Sequence, residues 1–410
     1  NFFINPLLLQ KEVGRIVKTK DKFGELKLSK EKINVEFISA NPTGPLTLGN
    51  GRGGFGGDVL SNVLEAVGYK VTREFYINDY GQQVKNLAQG LYKGEKRTAK
   101  EIIKANKEFI TKDLKIKFDV WTREKSLYPE GVNKAIRHLE KKKLIITKDG
   151  ALWFKSSDFG DDKDRVLIKK NGDHTYFLSD IAYLLNKFGR GFDKLIIFLG
   201  ADHHGYIGRM KAAVKALGYA EDQLEFAVVQ LVKVIEEGKQ KRMSKRAGVF
   251  ETLEKLIDEV GLDVARFFFL EHSANSHINF DLKLAREKSE QNPVYYIQYA
   301  HARMASILKK AKIKPSADYF LLNSEAELDM IRKLIKLEEI IEDTSNDYSV
   351  SQIPLYAKEL AESFHHFYHE VKVIGDNKKL TRARLALALA SKIVLANTLK
   401  LMGISAPSKM

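Results

Sequence analysis

Residues 33–57, INVEFISANPTGPLTLGNGRGGFGG, constrain this chain more than any other stretch: an apolar strand runs into a loop studded with proline and glycine, and the loop opens a helix. Val35 and Phe37 read as a buried strand, and beyond the glycines Phe55, Val59, Leu60, Val63, Leu64 and Val67 recur at helical spacing. Seven glycines fall from Gly44 to Gly57. They would let backbone N–H groups approach a bulky anion while the helix directs its positive end at it, so a nucleotide is the expected occupant. GxGxxG is present at Gly49, Gly51 and Gly54, but in a dinucleotide fold that pattern follows the strand almost at once, whereas here residues 39–48 intervene. A nicotinamide enzyme is therefore disfavoured, although Glu74 stands about where a ribose-binding acid would be. The Walker pattern GxxxxGK[ST] is absent.

At 410 residues the chain is long enough for two or three domains. Its 68 Lys+Arg against 53 Asp+Glu leave a net charge of +15, which favours an anionic partner. Nucleic acid comes before membrane, because no lipid-binding helix, lipidation signal or long apolar run is found. With no cysteine, disulfides and thiolate zinc sites are impossible and the cytoplasm is the expected compartment.

Taken in order, residues 1–30 form a connecting segment that begins apolar and becomes an amphipathic helix. A catalytic nucleotide-binding domain is expected over residues 31–286 and a helical bundle over residues 287–410. After Gly68, residues 70–77 alternate as a second strand, Asn78 to Gly81 form a turn, and residues 85–91 begin a helical region. Residues 93–159 are lysine-rich and read as a mostly helical insertion holding one hairpin, residues 144–146 and 151–154, about an Asp149-Gly150 turn. In the second half, residues 176–178 end a strand and residues 180–187 are helical. Residues 194–199 form a buried strand, residues 205–217 a helix and residues 226–234 a further strand. From Leu253 the pattern is helical almost to the end.

The loop itself, with its Pro-Thr-Gly turn and Thr47-Leu48-Gly49-Asn50, resembles the HIGH loop of class I aminoacyl-tRNA synthetases. Its flank, VEFISANPTGPL followed by GRG, resembles bacterial arginyl-tRNA synthetases. So, in family order, do REFYINDYGQQV, FGDDKDRV, HTYFLSDIAY, LGADHHGYIGRM, KRMSKRAG, ARFFFL, NPVYYIQYAHAR and GISAPSKM. The resemblance implies an α/β fold: a Rossmann-like parallel sheet with an insertion, then an all-α anticodon-binding bundle, lacking the family's N-terminal appended domain. It implies arginine–tRNA ligase activity as a monomer, with ATP, Mg2+, L-arginine and tRNA(Arg) as partners and no protein-bound metal.

Forming an aminoacyl adenylate calls for phosphate donors and cations rather than a protein nucleophile. The resemblance assigns this chemistry to Thr47, Asn50, Arg242 and Lys245, with Met243 and Ser244 completing a KMSK-like signature. Both histidines of the HIGH loop are replaced, by Thr47 and Asn50. A hydroxyl and an amide still donate hydrogen bonds, while imidazolium charge is lost. Gly44, Pro45, Gly49, Gly51, Gly53 and His204 are carried over as ATP-binding. Glu36, Ser39, Asn41, Asp79, Tyr176, Asp180 and His203 are carried over as arginine-binding, since a guanidinium requires carboxylates in its fixed fork. Read without the resemblance, Asp202-His203-His204 could be a metal cluster or a phosphoesterase motif, but the further aspartate motifs of those enzymes are missing. In the bundle, Tyr295, Tyr296, Tyr299, His301 and Arg303 are expected to be divided between helix core and stacking on tRNA bases. Two rivals stand beside this reading: a catalytically inactive paralogue acting as an RNA-binding protein, suggested by Thr47 and Asn50, and an enzyme joining arginine to something other than tRNA.

Overall fold

The computed structural model describes residues 5–80, 97–240 and 252–410, without the side chain of His204. The helical region expected at residues 85–91 lies outside them. Pairing of parallel strands needs crossovers, and the first is the nucleotide loop itself. Strand β1 (Lys32–Glu36) is followed by helix α2 (Leu48–Val67), which returns the chain to β2 (Lys70–Ile77) beside β1. Helix α1 (Pro6–Thr19) precedes this unit. Helix α2 lies close on the sheet because it has glycine where another residue would clash: a Cβ on Gly57 would fall 2.3 Å from Cγ of Phe37. On its other side, a Cβ on Gly51 would fall 2.5 Å from Cδ1 of Leu253.

Helix α3 (Ala99–Glu108) leads to β3 (Val120–Arg123), which pairs in parallel with β2. The stretch expected to be an insertion therefore contains an edge strand of the main sheet. Four residues, too short for a readable alternation, conceal it. Next come helix α4 (Glu130–Lys141) and an antiparallel sheet of β4 (Ile145–Lys148), β5 (Ala151–Phe154) and β6 (Arg165–Ile168). Its first turn is the expected one: Asp149 and Gly150 have φ of 52° and 75°, the left-handed pair that a two-residue hairpin takes.

Helix α5 (Tyr176–Gly189), β7 (Lys194–Gly200), α6 (Ile207–Leu217) and β8 (Leu224–Val229) complete the main sheet, whose order is β3-β2-β1-β7-β8. Tyr176 to Leu178, expected to end a strand, open α5 instead. The single strand expected over residues 226–234 is split. Its second part, β9 (Val232–Glu236), belongs to a small sheet with β10 (Lys239–Gln240) and β11 (Ile278–Asp281). Strand β11 interrupts the region expected to be helical. Helices α7 (Leu253–Val260), α8 (Leu262–Leu270) and α9 (Leu282–Arg286) surround it.

The C-terminal bundle consists of α10 (Pro293–Lys310), α11 (Glu325–Asp347), α12 (Gln352–Glu370) and α13 (Lys378–Leu401). It shares one apolar core with the sheet, running from Val35 and Phe55 through Phe269 to Phe364 and Leu395. Helix α1 is fastened to it: Arg15 meets Glu338 at 2.6 Å, and Nε2 of Gln10 donates to the Leu322 carbonyl at 2.9 Å.

A buried ion pair ties the two parts together. Arg266 of α8, 1% exposed, donates from Nη1 to Asp58 of α2 at 2.8 Å and to the Met402 carbonyl at 3.0 Å, and from Nη2 to the Leu114 carbonyl at 2.8 Å. Removing one member of such a pair strands the other charge out of water. Arg266→Met should lower unfolding free energy by about 3–5 kcal/mol. Urea unfolding followed at sheet and bundle together is the measurement, and a change below about 1 kcal/mol would remove the pair from this role.

Candidate active site

In an open α/β sheet, ligands bind at the carboxyl ends of the strands, where the strand order reverses. Here that place lies between β1 and β7. Past β1, Ile38 and Ser39 have φ of 65° and 35°. For a β-branched residue this is a strained conformation of the kind found at ligand sites. The turn carries Ser39 to the end of β2, where its Oγ accepts from the Tyr76 N–H at 3.0 Å. Asn41, exposed, accepts from Nδ2 of Asn78 at 2.9 Å, so its own amide donor remains for a ligand.

The glycine-rich stretch is ordered differently from expectation. Gly51 and Gly53 lie inside α2, with backbone groups in the helix, and at Gly51 the missing side chain is what lets Leu253 pack against it. The helix begins at Leu48, and Thr47 is its N-cap. Asn50, expected in a loop, is the third helical residue. The two make a reciprocal capping box: the Asn50 N–H donates to Thr47 Oγ1 at 3.3 Å, while Asn50 Oδ1 accepts from the Thr47 N–H at 2.9 Å and hydroxyl at 2.8 Å. The Leu48 and Gly49 N–H groups and Nδ2 of Asn50 have no partner among the described residues. They are donors for an anion at the positive end of the helix. Gly44 and Pro45 lie on the approach, and the Gly44 carbonyl accepts from Asn106 at 3.1 Å.

Arg242, Met243, Ser244 and Lys245 lie outside the described residues. Where the chain re-enters them, Leu253 donates its N–H to the Leu46 carbonyl at 2.9 Å, one residue before Thr47. The chain thus re-enters the described residues beside the N-terminus of α2.

Across the cleft, one face of α5 carries Tyr176, Asp180, Tyr183 and Lys187 at helical spacing. Tyr176 is 46% exposed at the rim. Asp180 is half-buried and accepts from the hydroxyl of Tyr206. Burial pushes its carboxyl up to about 7, with Glu36 adding to the rise and Tyr206 and Arg209 opposing it. Lys187, fully buried, meets Glu36 Oε2 at 2.5 Å and leaves Oε1 without a partner among the described residues. Glu74 is not available to a ribose. It is buried and bonded to Asn34, Thr122, Tyr183 and Arg190 at 2.5–2.7 Å. Although burial opposes it, Lys187, Thr122, Arg190 and Tyr183 hold this carboxyl below its ordinary value.

Two expected site residues are otherwise engaged. The Asp79 carboxylate meets Arg123 Nε at 2.7 Å and accepts from the Lys125 N–H at 3.1 Å, pinning the end of β2 to β3. His301 is 3% exposed and shares a 2.8 Å bond with the Pro407 carbonyl, so it anchors the chain end rather than facing RNA. His203 is exposed beside Asp202. The bundle aromatics differ in exposure. Tyr296 packs on His365 at 4.9 Å, Tyr295 is half-buried and Tyr299 is 41% exposed. Arg303 donates to the Tyr299 hydroxyl at 3.0 Å in an open cleft of about 470 Å3 lined also by Lys310, Tyr368 and Lys409. Lys187, Tyr206 and Arg209 were not anticipated, although the spacing of Lys187 from Asp180 on one helical face is a readable signal.

Known proteins give the same picture. The family described as tRNA synthetases class I (R), catalytic domain, matches residues 12–120 and 94–301, and the DALR anticodon binding domain matches residues 297–410. The fold is shared with the Thermus thermophilus arginyl-tRNA synthetase, at TM-score 0.81 and 20% identity over 100% of this chain and 87% of that one. It is shared more loosely with the Mycobacterium tuberculosis methionyl-tRNA synthetase in complex with methionyl-adenylate, at TM-score 0.69 and 12% identity over 92% of each. Fold and site together define a class I aminoacyl-tRNA synthetase. The arginine–tRNA ligase of Bacillus subtilis (strain 168) is 43% identical over 465 aligned positions, covering 100% of this chain and 84% of that protein. One from Listeria monocytogenes is 42% identical over the same shares. The chain belongs to the arginine–tRNA ligase family.

The capping box separates two effects at the altered loop. Thr47→Ala should cost about 1 kcal/mol of stability as a lost N-cap. Asn50→Ala should also slow activation by about tenfold to a thousandfold, as loss of a preorganised donor does. Paired denaturation and exchange assays decide this, and an Asn50→Ala enzyme of unchanged rate would take the phosphate role from that amide.

Proposed function

We propose that the chain activates L-arginine with ATP to arginyl-adenylate and transfers the arginyl group to the 3′-terminal adenosine of tRNA(Arg). The observation that carries the amino-acid assignment is Asp180. It is a carboxylate withdrawn from water at the carboxyl edge of the sheet, held by a phenol, and short of the cation that would make its ionised form comfortable. A guanidinium supplies that cation in planar form, and Tyr176 at the rim closes over its stem. The free oxygen of Glu36 receives the α-amino group, and the free amide of Asn41 donates to the substrate's polar end.

In the first step an oxygen of the arginine carboxylate attacks the α-phosphorus of ATP. The α–β phosphoanhydride bond breaks and pyrophosphate leaves. Negative charge gathers on phosphate oxygens at the end of α2, where the Leu48 and Gly49 N–H groups and the Asn50 amide donate. Pro45 and Gly44 border the nucleotide, His204 its adenosine side, His203 the arginine, and Arg242 and Lys245, with Met243 and Ser244, the triphosphate. Magnesium arrives with ATP as its counter-ion. In the second step the 2′-hydroxyl of the terminal adenosine attacks the arginyl carbonyl carbon and AMP leaves. The anticodon loop lies against the bundle, where exposed Tyr299 can stack on a base and Arg303 can meet phosphate.

The test is arginine-dependent ATP–pyrophosphate exchange, with and without tRNA. Exchange with arginine alone among the amino acids is expected. Asp180→Ala should lose it by more than about a hundredfold while retaining ATP binding, because a buried guanidinium without its carboxylate costs about 3–5 kcal/mol. Full exchange by that variant would move the arginine pocket elsewhere.

A further inference from the structure

Lys187 has no part in the reaction as written, yet its side chain is fully buried. It lies two turns along α5 from Asp180, on the same face. Its ammonium donates to Oε2 of Glu36, at the carboxyl end of β1, at 2.5 Å. A buried ion pair is seldom a source of stability, since apolar residues of the same volume do as well or better. Methionine would fill this position on α5 without desolvating an ammonium. What lysine adds is a fixed place for the carboxylate it meets.

Four elements set that place. Nζ of Lys187 stands 4.5 Å from the ring centroid of Tyr183, one turn back on α5. The Tyr183 hydroxyl donates to Glu74 Oε1 at 2.7 Å. Glu74, on β2, also accepts from Thr122 of β3 at 2.5 Å, and its Oε2 accepts from Asn34 of β1 at 2.7 Å and from Arg190, just past α5, at 2.6 Å. Each oxygen of Glu74 therefore carries two hydrogen bonds, which saturates it. Against burial, Lys187 is the foremost of the groups that hold the Glu74 carboxyl below its ordinary value. Of the two carboxylates that Lys187 answers, Glu36 is the open one: its Oε1 has no partner among the described residues.

We propose that Lys187 is a positioning residue for the substrate's α-ammonium group: it takes one oxygen of Glu36 in a fixed direction, holds the other ready for that group, and so makes the site select for a free α-amino group. This inference rests on the role given to Glu36 in the preceding subsection.

Two effects of opposite sign meet at Glu36. Lys187 offsets part of the charge that draws the substrate's ammonium, which weakens the attraction. It also keeps the carboxylate from turning away or taking up a proton, and either change would remove the attraction altogether. The second effect is the larger, because a carboxylate withdrawn from water and left without a cation neutralises itself rather than stay charged.

The decisive variant is Lys187→Met, of similar length and without charge. In arginine-dependent exchange with tRNA present, its KM for arginine should rise about tenfold to a hundredfold, with kcat less affected and the KM for ATP unchanged. Guanidinovaleric acid, which is arginine without its α-amino group, separates positioning from general damage. Measured as an inhibitor of exchange, it should bind the variant and the unaltered chain alike, so the preference for arginine over it shrinks by the same factor as the KM rises. In a Glu36→Gln background, Lys187→Met should add less than about twofold, because it acts through Glu36. An unchanged arginine KM, or an equal loss for arginine and guanidinovaleric acid, would overturn the proposal. Should Lys187→Met not fold, Lys187→Gln keeps an N–H donor without the charge; a smaller loss confined to arginine is expected, and no loss overturns the proposal. The two readings fail separately. Selective loss in Glu36→Gln but not in the Lys187 variants overturns the proposal alone, whereas a Glu36→Gln chain that keeps its full preference for arginine over guanidinovaleric acid takes the α-amino role from Glu36 and overturns both.

Discussion

The pairing of Arg266 with Asp58 is the interaction on which the rest of this structure depends. Asp58 lies on α2, the helix that follows the glycine-rich loop, and Arg266 also holds the carbonyls of Leu114 and Met402. One guanidinium thus ties the catalytic helix, the approach to β3 and the end of the last helix. The chain makes room for it with glycine: at Gly403, φ is 66° and a Cβ would fall 2.5 Å from Arg266 Nη1. Asp58 is within 4.0 Å of Arg73 as well, and Arg73 meets Glu65 at 2.5 Å, so the middle and the C-terminal part of α2 are held against β2. The anticodon-binding helices and the sheet consequently form one packed body rather than two tethered ones.

Electrostatics in the cleft follows from that rigidity. Strand ends deliver Glu36 and Asp79 from one side, and a single helical face delivers Asp180 and Lys187 from the other. Where a protein cation meets a carboxylate, as Lys187 meets Glu36, the charge is settled internally. Where none does, as at Asp180, burial lifts the carboxyl to about 7. At the opposite wall the polarity reverses. There the N–H groups at the start of α2 and the Asn50 amide, unpaired among the described residues, offer donors to an anion.

Much of this was legible in the residues. The β1–loop–α2 unit, β2 at residues 70–77, the Asp149-Gly150 hairpin and the helical tail all follow from periodicity and turn chemistry. The failures have physical causes. Reading residues 176–178 as the end of a strand separates Tyr176 from the helix it opens, and so hides the single helical face formed by Tyr176, Asp180, Tyr183 and Lys187. Strands β3, β9 and β11 are only four or five residues long, below the length at which alternation distinguishes strand from helix. The glycines were read as phosphate contacts, whereas Gly51 and Gly57 permit close packing against Leu253 and Phe37, contacts that no local pattern announces. Thr47 and Asn50 read as replaced histidines. Their spacing is also that of a capping box, and both descriptions are true of the same atoms.

The central claim is that this cleft selects arginine and that the body behind it delivers the product to tRNA. Charging of total tRNA, assayed with each of the twenty labelled amino acids in turn, tests it most directly. The account predicts acid-precipitable label with arginine alone, carried by arginine-accepting tRNA. Charging with another amino acid, or none with arginine although the protein is folded and binds ATP, would contradict it.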